Sequence, residues 1–139
     1  MTYFPDLSSY EYEPSDRPML NIGWLSSQHE HAKGLVAEVV MDALKVLGGK
    51  TMNQMRGYHQ CDFCSAVAPS VLGGEEGTVE LLLGSAELHV EGAGGVVYAA
   101  PDLVLHYILE HDYCPPREFC QAVLEKVGLA SSDELTVRE

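Results

Sequence analysis

A pair of cysteines separated by two residues, Cys61 and Cys64, constrains the fold of this chain more than any other feature. Two thiolates at this spacing can bind one metal ion from a single tight loop, whose backbone N–H groups can then donate to the sulfur atoms. A tetrahedral zinc site needs two further ligands, and the sequence supplies His106 and His111 about forty residues later. These four residues predict a zinc ion that staples a small domain.

The spacing of the two histidines leaves open which side chains complete the site. Five residues advance an ideal helix by about 140°, so His106 and His111 share one face only if the last turn tightens or opens before the Pro115-Pro116 break. His59, which precedes the cysteine pair, and Cys114, which follows His111, are alternative ligands. For the remaining candidates, we expect Cys120 in the core and His29, His31 and His89 at the surface.

Four protein ligands leave no open coordination position, so the predicted zinc site is structural. The alternative is a hydrolase in which three protein ligands and a water bind zinc, with Glu87 or Glu110 as the general base. Neither glutamate belongs to a His-Glu-x-x-His sequence, and we expect Glu87 to be a solvated strand residue or a cap. No phosphate-binding glycine loop or Gly-x-Ser-x-Gly is present. A redox role for Cys61 and Cys64 is disfavoured because they do not open a clear helix after a strand. The sequence therefore favours a domain that is not an enzyme.

The hydrophobic pattern predicts an α+β fold in a single domain over residues 1–139, a length that can bury a core of its own. We expect an antiparallel meander of about three strands packed with three helices. The expected strands are 79–83, 86–90 and 96–99, and the expected helices are 33–47, 101–112 and 116–127.

The segments outside these elements carry separate expectations. Residues 1–18 are predicted to form an extended arm whose aromatic side chains pack on the domain, and 130–139 a frayed tail. A short strand is expected within 21–25, where Trp24 is a core candidate, and a loop is expected over 65–77.

Charge limits the kinds of partner this chain can have. Eight Lys and Arg stand against 21 Asp and Glu, a formal net charge of −13, which repels nucleic acids and anionic membranes. The acidity is compatible with a basic protein partner, and an immunity or antitoxin-like protein that binds a basic toxin is one version of this hypothesis. No run of eighteen apolar residues and no signal peptide are present, so we expect a cytoplasmic protein with reduced thiols.

Several short motifs together resemble a family of small uncharacterised bacterial proteins, found chiefly in actinomycetes. They are Thr2-Tyr3-Phe4-Pro5-Asp6-Leu7-Ser8, Arg56-Gly57-Tyr58-His59 with Cys61 and Phe63-Cys64, Leu83-Gly84-Ser85-Ala86-Glu87, and Tyr98-Ala99-Ala100-Pro101 followed by His106-Tyr107. The resemblance covers most of the chain and implies no established activity. It favours His106 and His111 over Cys114 as ligands, because other members carry a basic residue at the position of Cys114.

Overall fold

The computed structural model describes residues 3–10, 17–51 and 57–128. Within them lie five strands and three α-helices. In chain order these are β1 (Met19–Asn21), α1 (Glu38–Leu47), β2 (Ser70–Gly73), β3 (Val79–Leu82), β4 (Glu87–Glu91), β5 (Val97–Pro101), α2 (Val104–His111) and α3 (Arg117–Lys126). None of the described helices is long and apolar enough to cross a membrane.

The predicted α+β class is confirmed, with three helices beside one sheet of three strands and one of two. In the larger sheet the strand order is β1-β5-β4. Strands β4 and β5 form an antiparallel hairpin, in which Glu91 pairs with Val97 and Glu87 with Pro101. Strand β1 pairs with β5 in the parallel sense, with Met19 beside Val97.

The strand order within the predicted meander is wrong in one respect. Strand β3 does not neighbour β4 but pairs antiparallel with β2, inside the segment that the sequence predicted as a loop. Gly74 and Gly77 adopt positive φ values of 80° and 70° and make the turn of this hairpin, so the glycines expected to make a loop instead connect two strands. After β3 the chain turns away at Gly84, whose φ of 115° few other residues adopt.

All three helices are shorter than predicted, most of all α1. Residues before Glu38 are extended instead, and Lys33 forms an isolated bridge with Tyr113. The three helices and β4 enclose the main core, because α1 packs against α3 and α3 against β4. Its most buried side chains include Ile22, Val40, Leu44, Leu88, Leu103, Tyr113, Phe119 and Val123.

A second, smaller cluster confirms Trp24 as a core residue. Trp24 packs with Tyr10, Met19 and Ala99, and its indole N–H donates to the backbone carbonyl of Ala99 over 2.9 Å. The described part of the N-terminal arm packs on the domain, as its aromatic content predicted. Phe4, for example, donates its backbone N–H to the carbonyl of Trp24 and contacts the indole ring edge-on.

Asp6 fastens this arm to the body of the domain. One carboxylate oxygen accepts the backbone N–H of Gly23 at 2.9 Å, and the other accepts the hydroxyl of Tyr113 at 2.8 Å. Tyr113 is fully buried just beyond α2, so the arm is connected to the segment that follows this helix. The rest of the predicted arm, residues 1–2 and 11–16, and the predicted tail, 130–139, lie outside the described residues.

Candidate metal centre

The two cysteines lie in a tight turn that is closed by backbone hydrogen bonds. Ser65 donates its N–H to the carbonyl of Cys61, and Cys61 donates its own to the carbonyl of Ala66, both over 2.9 Å. Ser65 takes the left-handed conformation, with φ of 63°, which lets the chain reverse after Cys64. Phe63 donates its N–H to the sulfur of Cys61 at 3.4 Å, the contact expected of a loop that presents a thiolate to a metal.

A second contact fixes this loop against the domain. The backbone N–H of Ser27 donates to a carboxylate oxygen of Asp62, which lies between the two cysteines. This hydrogen bond lowers the pKa of Asp62, so the carboxyl group is charged near neutral pH and the contact is charge-assisted.

Helix α2 supplies the two histidines, and a buried carboxyl group positions the start of this helix. Asp102 accepts the backbone N–H of Gly84 at 2.7 Å and donates its own N–H to the carbonyl of Ala86. Burial raises the pKa of Asp102 to about 6, although these N–H groups oppose the shift. The sequence analysis missed this residue, and the available signal was a short polar side chain directly after Pro101, where helix starts often need an acceptor.

The other end of α2 stops at His111. Asp112 adopts the left-handed conformation with φ of 57°, and the N–H of the next residue, Tyr113, donates to the carbonyl of Tyr107 over 3.2 Å. The helix therefore ends at the second histidine itself, four residues before Pro115. Although His106 and His111 were expected to point about 140° apart, their rings lie 5.0 Å apart between centroids at an angle of 74°.

Together the loop and the helix bring Cys61, Cys64, His106 and His111 into one cluster, with all four potential ligand atoms within 4.8 Å of one another. The sulfur of Cys61 lies 3.4 Å from Nε2 of His111, and the sulfur of Cys64 lies 3.3 Å from Nε2 of His106. In a tetrahedral zinc site, bond lengths of about 2.3 Å to sulfur and 2.0–2.1 Å to nitrogen separate such atoms by about 3.6 Å. The four residues are thus placed to bind a metal ion.

Burial differs among the four side chains and shifts their ionisation. Cys61 and His106 are buried, His111 is partly exposed, and Cys64 lies at the surface. Burial, reinforced by nearby His111, lowers the pKa of His106, so its ring is neutral at pH 7 and able to coordinate. Burial raises the pKa of the Cys61 thiol, so a metal that binds there displaces a proton.

Aromatic side chains cover one side of the cluster. The ring of Phe63 lies 5.0 Å from that of His111 and 5.8 Å from that of Tyr107. His31, which the sequence placed at the surface, is half-buried here, with Nε2 3.1 Å from the carbonyl of His111. The fully buried hydroxyl of Tyr107 has no hydrogen-bond partner among the described residues, and burial and the nearby Cys61 raise the pKa of this group.

The alternative ligands lie outside the cluster. His59 donates its backbone N–H to the carbonyl of Gly84, and Cys114 donates its own to the carbonyl of Ala32. Cys120 is buried in the main core, as predicted.

The prediction of surface positions for Glu87 and His89 is wrong. Glu87 is only 7% exposed, and one carboxylate oxygen accepts the hydroxyl of Tyr10 at 2.9 Å and lies 2.8 Å from Nε2 of His89. The arm covers these residues of β4, which an alternating strand pattern does not reveal. Glu110 is exposed, and His29 is exposed as expected, with its ring stacked on that of Tyr3.

Comparison with known proteins gives one match. No curated protein and no solved structure matches the chain. The model of a family described as a domain of unknown function (DUF7919) matches residues 2–124, which include all four clustered residues. Because the match covers most of the sequence, the chain belongs to the DUF7919 family of unknown function.

Proposed function

We propose that this protein is a non-enzymatic domain stapled by one structural zinc ion, and that it acts by binding another protein. The observation that carries the proposal is the cluster of Cys61, Cys64, His106 and His111, whose ligand atoms come from segments 42 to 50 residues apart. Two thiolates and two imidazoles in a compact group suit zinc better than magnesium or calcium, which prefer oxygen ligands.

A closed ligand set supports a structural role. When four side chains coordinate zinc, no position is left for a substrate or a nucleophilic water. Two of the four, Cys61 and His106, are buried beside the main core, so coordination there connects the cysteine loop to α2. The metal then contributes to folding rather than to a reaction.

The competing proposal is a zinc-dependent hydrolase with three protein ligands and a water. Its best support is the exposure of Cys64, because a solvent-facing ligand is the one a water replaces most easily. Of the two candidate bases, Glu87 is already bonded to Tyr10 and lies against His89. Only the exposed Glu110 is left for that role. An exposed Cys64 and one remaining base, Glu110, support a hydrolase less than the four clustered ligands support a structural site.

The partner is proposed from charge. At a net charge of −13 the protein attracts basic surfaces, and a basic toxin bound by an immunity or antitoxin-like protein is one case. A cytoplasmic location fits thiols that must stay reduced to bind metal. If affinity purification at low salt recovered only general chaperones, the binding role would lose its basis.

The test of the metal site is the zinc content of the purified, untagged protein, measured by elemental mass spectrometry. About one zinc per chain is expected, with loss in His106→Ala and His111→Ala and retention in the controls His59→Ala and Cys114→Ser. X-ray absorption should then fit two sulfur and two nitrogen ligands. A water oxygen in place of one sulfur would favour the hydrolase, and a metal-free wild-type protein would overturn both proposals.

A further inference from the structure

We infer that the outer strand of the small sheet, β3, is the docking site for a basic, extended segment of the partner protein. The segment would add as a third strand to the hairpin of β2 and β3 and would place its own side chains beside the exposed Leu82. This inference rests on the proposed protein-binding role but not on the zinc site.

The first observation is an apolar face that the domain leaves uncovered. Strand pairing places Leu72 opposite Glu80 and Ser70 opposite Leu82, so these four side chains share one face of the hairpin. On that face Leu72 is 61% exposed and Leu82 is 48% exposed. A single hairpin with a bare apolar face is marginally stable by itself, and a further strand is the usual way to complete it.

The opposite face of the hairpin is already occupied. The side chains of Val71 and Leu81 point that way and pack against the main core. Leu81 lies so close to Gly48 and Gly73 that a Cβ atom at either glycine would clash with its methyl group. The hairpin is therefore fixed on α1 by one face and presents the other to solvent.

The second observation is an unpaired strand edge with the right hydrogen-bonding pattern. Leu83 donates its N–H to the carbonyl of Pro69, so bonded pairs alternate from there along the ladder. The backbone groups of Glu80 and Leu82 consequently point away from β2. No described strand lies on that side of β3. The other edge is less accessible, since Gly74, at the end of β2, donates its N–H to the carbonyl of Lys45 on α1.

The third observation is charge, which selects the occupant. Residues 70–83 contain Glu75, Glu76 and Glu80 and no basic residue, and in the described ion pairs Glu75 meets only Lys50, at 3.3 Å. A second copy of this chain would bring the same glutamates against one another. Pairing through β3 therefore favours a strand that carries Lys or Arg and an apolar residue two positions apart on one face, because these two side chains then lie beside Glu80 and Leu82.

The test uses the zinc-loaded full chain and three short capped peptides. One alternates Lys with Val along a single face of the strand, at every second position, with Ser at the positions between them. The second has the same composition with Lys and Val in separate blocks, and the third has Glu in place of each Lys. The alternating basic peptide should bind, and hydrogen exchange should slow at the amides of Glu80 and Leu82. The blocked and acidic peptides should bind at least about tenfold more weakly.

Substitutions then distinguish binding at this surface from non-specific binding to exposed apolar side chains. Leu82→Asn should weaken binding by about tenfold or more, and Leu72→Asn, one strand further from the peptide, should weaken it less. Leu35→Asn, at the most exposed leucine among the described residues, should leave binding unchanged. Zinc content and melting temperature should be unaffected in all three. Absence of binding at millimolar peptide, equal binding of the acidic peptide, or slowed exchange only outside residues 70–83 would overturn the inference. A wild-type protein that contained no metal as purified and still bound the basic peptide at β3 would overturn the metal proposal and leave this inference standing.

Discussion

Two buried cysteines, Cys61 in the metal-site loop and Cys120 on α3, offer a matched comparison of metal ligation with ordinary burial. Cys61 is 1% exposed and Cys120 is 6% exposed, and both belong to the main core. Serine in place of either thiol puts a more polar hydroxyl in a buried site. If both cysteines only fill space, Cys61→Ser and Cys120→Ser should destabilise the protein by similar amounts.

The expected magnitudes are far apart if Cys61 binds zinc. A buried hydroxyl with imperfect partners costs about 1–2 kcal/mol, and a chain of this length loses about 3–4 °C of melting temperature per kcal/mol. Cys120→Ser should therefore melt about 3–8 °C below the wild type. Structural zinc contributes about 10–16 kcal/mol in small zinc domains. This chain has a core without the metal, so even half of the lower figure predicts a loss of more than about 15 °C for Cys61→Ser.

Thermal unfolding with and without a chelator measures both the cost of the buried hydroxyl and the contribution of the metal. The chelator should lower the melting temperatures of the wild type and of Cys120→Ser by the same large amount, and should leave Cys61→Ser unchanged. If Cys61→Ser and Cys120→Ser melted within a few degrees of each other, or if the chelator acted on none of the three proteins, the cysteine pair would be ordinary core and the argument for a metal would fail.

Further predictions concern pH and two buried groups near the site. Zinc affinity, measured by competition with a chromophoric chelator, should fall as pH is lowered, by up to about 100-fold per pH unit where both thiols are protonated; a flat profile would argue against thiolate ligands. Tyr107→Phe should stabilise the protein by about 0.5–1 kcal/mol in denaturant unfolding, because the removed hydroxyl is buried without a partner; a clear loss of stability would reveal a bond to that hydroxyl. The pKa of Asp102 rises from 3.8 to about 6 on folding, so the folded state binds more protons between these values and stability falls as pH rises through them. This contribution is roughly 2–3 kcal/mol at 1.36 kcal/mol per pKa unit, and the stability difference between wild type and Asp102→Asn should change by that amount between pH 4 and 7; a constant difference would mean that Asp102 keeps an ordinary pKa.

The helices and strands of this fold could be predicted from the sequence better than the pairing between strands could. Apolar side chains at helical spacing indicated α1, α2 and α3, and alternation indicated β4 and β5. Pairing was harder, since no local pattern distinguishes β3 beside β4 from β3 beside β2. Strand β2 was missed because proline and glycine flank Ser70-Val71-Leu72. A short strand was expected within 21–25, whereas β1 lies at Met19–Asn21, and these three residues carry no pattern that indicates parallel pairing with β5.

At the candidate site, the types and spacing of residues indicated the cluster, while its surroundings came only from the structure. The separation of Cys61 from Cys64 and the separation of His106 from His111 are both typical of zinc ligands. The contacts of Asp102 with Gly84 and of Phe63 with His111 join residues far apart in the chain. Glu87 appeared to be a surface residue because the arm that covers it lies more than seventy positions away.

The order of the clustered residues along the chain has a consequence for protein synthesis. A ribosome makes Cys61 and Cys64 first, and the histidines that face them follow 42 to 50 residues later. At about 5–20 residues per second, this gap leaves both thiols without their partners for about 2–10 s. During that interval the thiols of the nascent chain are open to oxidation, so the proposed metal site would need a reducing environment around the ribosome to assemble.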